Sequence, residues 1–295
     1  MTRQHVLSIC LMASVCLLYA QDPSRYFGLS APDSIPEKLA PGVISMPDEY
    51  EFGSVFSKDG KEFFYGVDIG PRNEIRYCKY EGGRWTESKA ILADEKFSFN
   101  DPMLSNDGLR LYFISNLPIS GNQEKDIDIW YIDRSSGTWS EPINAGPNIN
   151  SERKEFYISF AANGAMYFAS NKEAPEDYLS DFDIYRSAYV DGTFQKPERL
   201  SFNTTAYEAD VYVAPDESYV IFCATKRSSL GRGDLYISFQ QDGHWTQPQN
   251  MGEPINDPGH QLCPFVTYDG KYFLYTSNKD LYWVSTNILT QFEPQ

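Results

Sequence analysis

The sequence predicts an all-β fold, a five-bladed β-propeller closed by an N-terminal strand that pairs into the last blade. Three observations carry this prediction. One hairpin pattern recurs five times, the copies lie about 50 residues apart, and the fifth copy lacks an outer strand. Repeats of this length are typical of architectures in which one unit cannot bury its apolar faces alone. We therefore expect a single domain over residues 21–295.

The repeated hairpin consists of an apolar strand, a tight turn and a strand rich in Tyr and Phe. It reads "SNDGLRLYFISN" at residues 105–116, and "SKDGKEFFYGVD", "AANGAMYFASNK", "APDESYVIFCAT" and "TYDGKYFLYTSN" elsewhere. Asp-Gly pairs supply the positive φ that tight hairpin turns require, and alternating aromatic residues place one strand face in a core. The aligned turn residues, which are 48, 56, 53 and 53 positions apart, are Asp59, Asp107, Asn163, Asp216 and Asp269.

Each unit continues with a third strand, read as "NEIRYCKY", "IDIWYIDR", "FDIYRSAY", "GDLYISFQ" and "KDLYWVST". Acids open this strand in four units, at Asp128, Asp183, Asp234 and Asp280, and such regular recurrence indicates a scaffold role. A turn with an aromatic residue and a fourth strand follow, and four antiparallel strands make a propeller blade. The predicted blades span residues 48–97, 98–154, 155–207, 208–260, and 261–295 together with 31–47.

The fifth unit stops after its third strand, and the missing strand is found at the other end of the chain. "PEKL" at residues 36–39 parallels "PERL" at residues 197–200, the fourth strand of the third unit. Pairing this N-terminal segment into the last blade would close the ring and leave no open strand edge for association.

The residues that carry this pattern resemble the TolB-type, WD-like propeller repeats of exported bacterial proteins. The resemblance covers residues 31–290 and rests on an acid before an apolar strand, "S-x-D-G" before an aromatic strand, and then "D-[IL]-Y". It implies the propeller fold. It is compatible with several functions, because the group includes periplasmic adaptors, modules attached to peptidoglycan-binding domains, and polysaccharide-degrading enzymes.

Residues 1–20 have the pattern of a signal peptide. Arg3 precedes an apolar run from Val6 to Leu18, and the small residue Ala20 precedes Gln21. We expect the remainder to be exported, to the periplasm or outside the cell, with no transmembrane segment. Lipidation at Cys16 is an alternative, although Val15 is larger than the residue expected before such a cysteine.

Composition restricts the partners. The net charge of −16 becomes −17 without residues 1–20, which hold one Arg and no acid, so nucleic acid is not an expected partner. Three cysteines remain, Cys78, Cys223 and Cys263, and their odd number and spacing do not suggest a disulfide framework. We expect a monomer whose stability comes from apolar burial.

Two columns of residues on the first strands are candidate site positions. Eight residues before each turn lie Glu51, Phe99, Glu155, Glu208 and Gln261, and two further on lie Gly53, Asp101, Tyr157, Asp210 and Cys263. First strands line the channel of a propeller, so these acids are predicted near its mouth. There they would repel one another unless a cation, protons or basic side chains neutralise them. The alternative is that they bind the backbone of the scaffold.

Basic residues, and residues that do not recur from repeat to repeat, complete the predicted site. Arg153 lies ahead of Glu155, and loops predicted at the same mouth carry Lys172, Arg227 and Lys279. The long loops also hold Tyr178. His260 lies next to the channel column, where we expect the acids to favour its protonated form.

Two functions fit these residues. The first is a non-catalytic propeller that presents Glu51, Asp101, Arg153, Lys172, Arg227 and Lys279 to an envelope protein or glycan. The second is a carbohydrate-active hydrolase or lyase that uses acids at the channel mouth, with Glu155, Glu208, Asp210 and His260 as candidates. No cofactor is expected, although the oxygen-rich channel would suit a structural Ca²⁺.

Overall fold

The computed structural model describes residues 22–29, 32–121, 125–175, 180–225 and 229–294. Within these residues the chain forms five small antiparallel sheets arranged as the blades of a propeller, which confirms the predicted fold class. No helix in this part of the chain is long and apolar enough to cross a membrane. The predicted signal peptide, including Cys16, lies outside the described residues.

The first two blades follow one another directly along the chain. Blade 1 consists of β2 (Tyr50–Phe56), β3 (Glu62–Asp68), β4 (Asn73–Glu81) and β6 (Lys89–Leu92), with β5 (Arg84–Trp85) extending its outer hairpin. Blade 2 consists of β7 (Phe99–Leu104), β8 (Arg110–Ser115), β9 (Asp128–Ser135) and β11 (Ile143–Asn144), with β10 (Thr138–Trp139) in the same role.

The remaining three blades repeat this order. Blade 3 consists of β12 (Glu155–Phe160), β13 (Met166–Ser170), β14 (Asp183–Ser187) and β17 (Glu198–Arg199), with the hairpin β15 (Tyr189–Val190) and β16 (Thr193–Phe194). Blade 4 consists of β18 (Glu208–Val213), β19 (Tyr219–Ala224), β20 (Asp234–Gln241), β21 (His244–Trp245) and β22 (Gln249–Asn250). Blade 5 consists of β23 (Gln261–Val266), β24 (Tyr272–Ser277) and β25 (Asp280–Ser285), joined by the N-terminal β1 (Glu37–Lys38). Short 3₁₀ helices at Tyr26–Gly28 and Thr286–Phe292 flank the ring.

The ring is closed as the sequence predicts. Glu37 is paired with Trp283 and Lys38 with Tyr282, so β1 becomes the outer strand of blade 5. Leu39, whose N–H donates to the carbonyl of Leu281, is fully buried. The last blade therefore depends on a segment from the far end of the chain.

The acids that open the third strands bind their fourth strands. The Asp128 carboxylate accepts from the Asn144 amide at 2.9 Å, and the Asp234 carboxylate accepts from the Asn250 amide at 2.7 Å. In blade 3 the basic partner of Asp183 is Arg199. In blade 5 Lys38 on the N-terminal strand pairs with Asp280 at 2.7 Å. The recurring acid thus holds the outer strand of four blades, including the strand that closes the ring.

The core lies between neighbouring blades. Each second strand buries at least one Phe completely, and these residues are Phe63, Phe64, Phe113, Phe168, Phe222 and Phe273. The first strands β2, β7, β12, β18 and β23 contact one another in sequence around a closed ring, and they surround the axis. The mouth of the central channel is consequently built from the beginnings of five strands that are distant in sequence.

Candidate functional site

Every first strand carries a β-bulge at the same position. The register shifts in all five strands, and the residue in the bulge has a positive φ of 44–54°; these residues are Gly53, Asp101, Tyr157, Asp210 and Cys263. A positive φ is uncommon for residues other than glycine, and a bulge re-aims the side chain that it carries. These five residues, the bulge column, therefore form a ring around the axis.

Two side chains of the bulge column, those of Asp101 and Cys263, contact each other, and the other members pack closely around them. A Cβ at Gly53 would lie 2.6 Å from Oδ1 of Asp101, so glycine leaves the space that this carboxyl occupies. The Cys263 thiol donates to the same oxygen at 3.6 Å. The Tyr157 hydroxyl donates to the carbonyl of Pro264 at 3.0 Å and is almost completely buried. The ring is thus packed rather than open.

A cavity of about 580 Å³ lies at the mouth above the bulge column. All five blades contribute to its lining, with Phe52, Asp101, Phe156, Asp210 and Cys263 as one representative from each. We call this space the axial cavity. It lies at the end of the propeller opposite the Asp-Gly turns, because the first strands run from the cavity toward those turns.

Aromatic rings form much of the cavity wall. Tyr50 and Phe52 have ring centroids 5.6 Å apart. Phe156 stacks on Phe182 at 4.6 Å, and Phe182 contacts Tyr207 edge-on at 5.6 Å. Aromatic pairs at such distances are favourable beyond their buried area. The wall rings are therefore held in place by aromatic neighbours.

Two carboxyl groups lie at the base of the cavity. Asp101 and Asp210 are 8% and 7% exposed. Burial raises the pKa of Asp101 to about 8, and the charge of Asp210 adds to this rise while the Cys263 thiol opposes it. Burial also raises the pKa of Asp210 to about 7, partly offset by the backbone N–H of Cys263. Both pKa values favour a protonated carboxyl near neutral pH, because desolvation disfavours the charged form.

The rim of the axial cavity carries both signs of charge. Asp68 and Asp126 line it together with Lys125 and the exposed Lys154. The Lys125 ammonium is already paired, at 2.9 Å with Asp126 and at 2.7 Å with Asp128. The lining of the cavity contains more carboxyl groups than ammonium groups, since Asp68, Asp101, Asp126 and Asp210 line it with only Lys125 and Lys154.

His260 lies at the cavity wall in the segment before β23. Its Nε2 is 3.6 Å from the Cys223 sulfur, and its ring packs where a Cβ at Gly233 would be. Burial lowers the pKa of His260, and Arg232 lowers it further, against a smaller opposing effect of Asp234. The expectation that nearby acids favour protonated His260 is wrong, because desolvation outweighs them.

Glu155 and Glu208, which precede the bulge column by two residues, do not line the cavity. The Glu155 carboxylate accepts from the Ser151 N–H at 3.2 Å and its hydroxyl at 2.6 Å. The Glu208 carboxylate accepts from the Thr204 N–H at 3.1 Å and its hydroxyl at 2.6 Å. Both glutamates are fully buried, so they hold the loop that enters their own blade. Their predicted catalytic role stays a prediction, and the geometry favours the scaffold alternative.

Two of the other three blades use the same position in a similar way, whereas blade 2 has Phe99 there. Glu51 accepts from the Met46 N–H at 3.0 Å, and burial raises its pKa to about 7. The Gln261 amide donates to Asp257 at 2.6 Å. With Glu155 and Glu208, these residues form a set that we call the loop-holding column. Glu51 is thus separate from the axial cavity.

The predicted basic residues are not gathered at the axial cavity. Lys172 lies with its ammonium 3.7 Å from the centroid of the Tyr185 ring, and burial lowers its pKa. Lys279 occupies the turn before β25, where its carbonyl accepts from the Glu51 N–H. Arg153 lies in the loop before β12, and its N–H donates to the Ser151 hydroxyl. Arg227, like Tyr178, lies outside the described residues.

Asp101, Asp210 and His260, which the sequence predicted near the channel mouth, line the cavity. The aromatic residues of its wall were not predicted. The missed residues Phe52 and Phe156 stand directly before the bulge column. Strict alternation predicts that they face away from the axis, whereas the bulge lets consecutive residues line the cavity. The sequence signal that could have indicated this wall is the recurrence of apolar residues one position before the bulge column.

Among the described residues, no group of three His, Cys, Asp or Glu side chains is arranged to hold a metal ion. The structural Ca²⁺ considered for the channel stays a prediction.

No family model matches the chain, and no curated protein sequence matches it. Solved structures share its fold. A protein of unknown function from Dyadobacter fermentans has a TM-score of 0.54 at 12% identity, covering 88% of this chain and 84% of that one. TolB from Acinetobacter baumannii has a TM-score of 0.50 at 14% identity, covering 80% of this chain and 54% of that one.

Hydrazine synthase from Kuenenia stuttgartiensis is a further match, with a TM-score of 0.52 at 12% identity, covering 82% of this chain and 38% of that one. The chain spans about half the length of the Acinetobacter TolB. At these identities the similarity is one of fold. The chain is therefore a TolB-like β-propeller in architecture.

Proposed function

We propose that the protein is an exported, non-catalytic binding propeller that receives a group of an envelope protein or glycan in its axial cavity. One observation carries the proposal: all five blades build a single cavity of about 580 Å³ at the channel mouth. Concave sites with apolar walls and a few convergent polar groups are the usual form of binding sites. The signal-peptide pattern of residues 1–20 supports export.

The positions of the acids support binding over catalysis. A glycosidase requires two carboxyl groups placed on either side of the scissile bond. Glu155 and Glu208 already accept hydrogen bonds from their own loops, which ties them to the scaffold. The carbohydrate-active alternative would have to use Asp101 and Asp210 instead, which lie together at the base of the cavity.

Site-specific photo-crosslinking tests the location of the binding surface. A photoreactive amino acid replaces Lys154 at the cavity rim or, as the matched control, Lys58 in the Asp-Gly turn at the opposite end; both lysines are exposed. The protein is expressed in its native host and irradiated in intact cells. We expect defined crosslinked species from position 154 and not from position 58.

Crosslinks confined to position 58 would contradict the proposal, because they would place the partner on the turn face. Turnover of a polysaccharide by the purified parent protein, abolished in Asp210→Asn, would replace it with the enzymatic alternative.

A further inference from the structure

We propose that the axial cavity binds an organic cation, namely an ammonium or guanidinium group on an apolar stem. This inference rests on the proposed function and specifies the chemistry of the group that enters the cavity. The stem would lie along the aromatic wall, and the charged group would reach the carboxyls at the base. A lysine or arginine side chain of a polypeptide and a free alkylamine share this chemistry.

The base of the cavity presents carboxyl groups with few partners. Asp210 is more than nine-tenths buried, lines the cavity, and receives no hydrogen bond from any side chain among the described residues. Asp101 receives one, the weak thiol hydrogen bond of Cys263. Asp210 also accepts the backbone N–H of Cys263. Each of the two carboxyls thus has a single hydrogen-bond donor, which leaves a buried carboxylate poorly compensated, so a cation entering the cavity would supply a further interaction.

The walls add a separate reason for an organic cation. Tyr50, Phe52, Phe156 and Tyr207 line the cavity, and a cation near an aromatic face is attracted by the ring quadrupole. Leu262 supplies apolar surface for a stem. A small inorganic ion would use the carboxyls but not these rings, whereas an alkylammonium would use both.

The lysines that line the cavity do not neutralise the two carboxyls at its bottom, those of Asp101 and Asp210. The Lys125 ammonium is paired with Asp126 and Asp128 on the rim. Lys154 is exposed, and it is not among the groups that shift the pKa of Asp101 or Asp210. The chain as a whole carries a net charge of −16, which also attracts cations.

Binding would be linked to protons. The groups facing the two carboxyls include Cys263 and Tyr157 from the bulge column, and Tyr50, Tyr207 and Cys223 around them. The pKa of each of these phenols and thiols is raised, so they stay neutral between pH 6 and 9. His260 also stays neutral over most of this range, because its pKa is lowered.

The remaining charged groups of the lining lie at the rim and are Asp68, Asp126, Lys125 and Lys154. Within the cavity, the two base carboxyls have pKa values of about 8 and about 7, so their protonation changes near neutral pH. Glu51 and Glu155, whose pKa values are also raised to about 7, do not line the cavity. A cation favours the ionised forms of the two base carboxyls, so its binding should release protons and strengthen from pH 6 to pH 9.

The test is calorimetric titration of the purified chain with pentylamine, with 1-pentanol as the uncharged control. We expect pentylamine to bind at least about tenfold more tightly than pentanol. Asp210→Asn should weaken pentylamine binding by about tenfold or more and reduce the proton release, with Asp101→Asn acting in the same direction. Asp216→Asn, in a turn at the opposite end, is the matched control and should change neither quantity. Thermal melting verifies that each variant is folded.

A second arm identifies the source of the cation. A peptide with one internal lysine is compared with the same peptide acetylated at that lysine. Tighter binding of the unmodified peptide than of pentylamine would support a polypeptide side chain. Equal or weaker binding than pentylamine, with acetylation still abolishing it, would support a free amine.

Equal affinities for pentylamine and pentanol, or unchanged pentylamine affinity in a folded Asp210→Asn protein, would overturn the inference. If position 154 nevertheless crosslinks a partner in cells, the proposed function stands and only the cationic chemistry is wrong.

Discussion

Two columns of residues lie two positions apart on the same five strands and have opposite roles. The loop-holding column is nearly uniform, with glutamate in three blades and glutamine in a fourth, and its side chains bind the preceding loops. The bulge column holds a different residue in each blade, except that aspartate occurs twice, at Asp101 and Asp210, and it surrounds the axis, where Asp101 and Cys263 contact each other. The loop-holding column is nearly uniform because it performs the same structural task in those four blades. The bulge column varies because its members build one cavity that all blades share.

The difference has a geometric cause. A regular strand would turn both columns to the same face, because they are two residues apart. The second column is itself the bulge, and its positive φ re-aims the side chain at that position. One short strand can therefore serve the scaffold with one side chain and the cavity with the next.

The largest expected effect comes from removing the N-terminal segment. A chain that starts at Pro47 loses β1 and the Met46 N–H that binds Glu51. It also exposes the edge of β25, so we expect a loss of more than about 10 °C in melting temperature and association in solution. Differential scanning calorimetry and light scattering measure both.

A chain that starts at residue 32 is the control, since it loses the packing of Tyr26 on Phe56 and Tyr272 but keeps β1. Equal melting of the two truncations would show that β1 does not hold the ring closed.

Substituting the glycine of the bulge column should have the next largest effect. In Gly53→Ala the new Cβ would meet Asp101 at 2.6 Å while the backbone keeps a φ of 45°. We expect destabilisation of about 1–3 kcal/mol by chemical denaturation. Gly42→Ala is the matched control, because Gly42 also has a positive φ but a Cβ added there would meet no atom within 4 Å. A loss at Gly53 no greater than at Gly42 would mean that the ring has room for a larger side chain.

The fold was predictable from sequence because its signals are local. Turn residues such as Asp59 and Asp107 mark the hairpins, and their spacing defines the repeat. The match of "PEKL" to "PERL" indicated the closing strand, because "PERL" is the fourth strand of the third unit and the fifth unit lacks its own fourth strand.

The site was only partly predictable. Asp101 and Asp210 could be placed near the axis from the repeat alone, but the roles of the two columns could not be separated. A bulge is not visible in strand alternation, so Phe52 and Phe156 read as core residues although they line the cavity. His260 lies at the cavity wall, but its pKa is lowered rather than raised, and the sequence does not report the burial that lowers it.

A smaller effect is expected on the pH dependence of stability. The pKa of Asp101 in the folded protein is raised to about 8. Folding thus favours its protonated form, and this contribution is complete below about pH 4 and is lost as the pH rises through about 8. We expect the melting temperature to fall from pH 6 to pH 9 by several degrees more in the parent than in Asp101→Asn.

Asp107→Asn serves as the control, because hydrogen bonds from Ser105 and Leu109 lower the pKa of Asp107 and keep it ionised throughout this range. An identical fall in the parent and Asp101→Asn would show that the Asp101 carboxyl does not take up a proton on folding.

The most direct test of the two roles compares Glu208→Gln with Asp210→Asn, neighbours on β18, by melting temperature and by pentylamine affinity. Glu208→Gln removes an acceptor of the Thr204 hydrogen bonds, so it should lower stability by about 1–3 kcal/mol and leave the affinity of the folded protein unchanged. Asp210→Asn should retain stability and lose about tenfold or more in affinity. The opposite pattern, with binding lost at Glu208 and stability lost at Asp210, would contradict the assignment of the loop-holding column to the scaffold and the bulge column to the cavity.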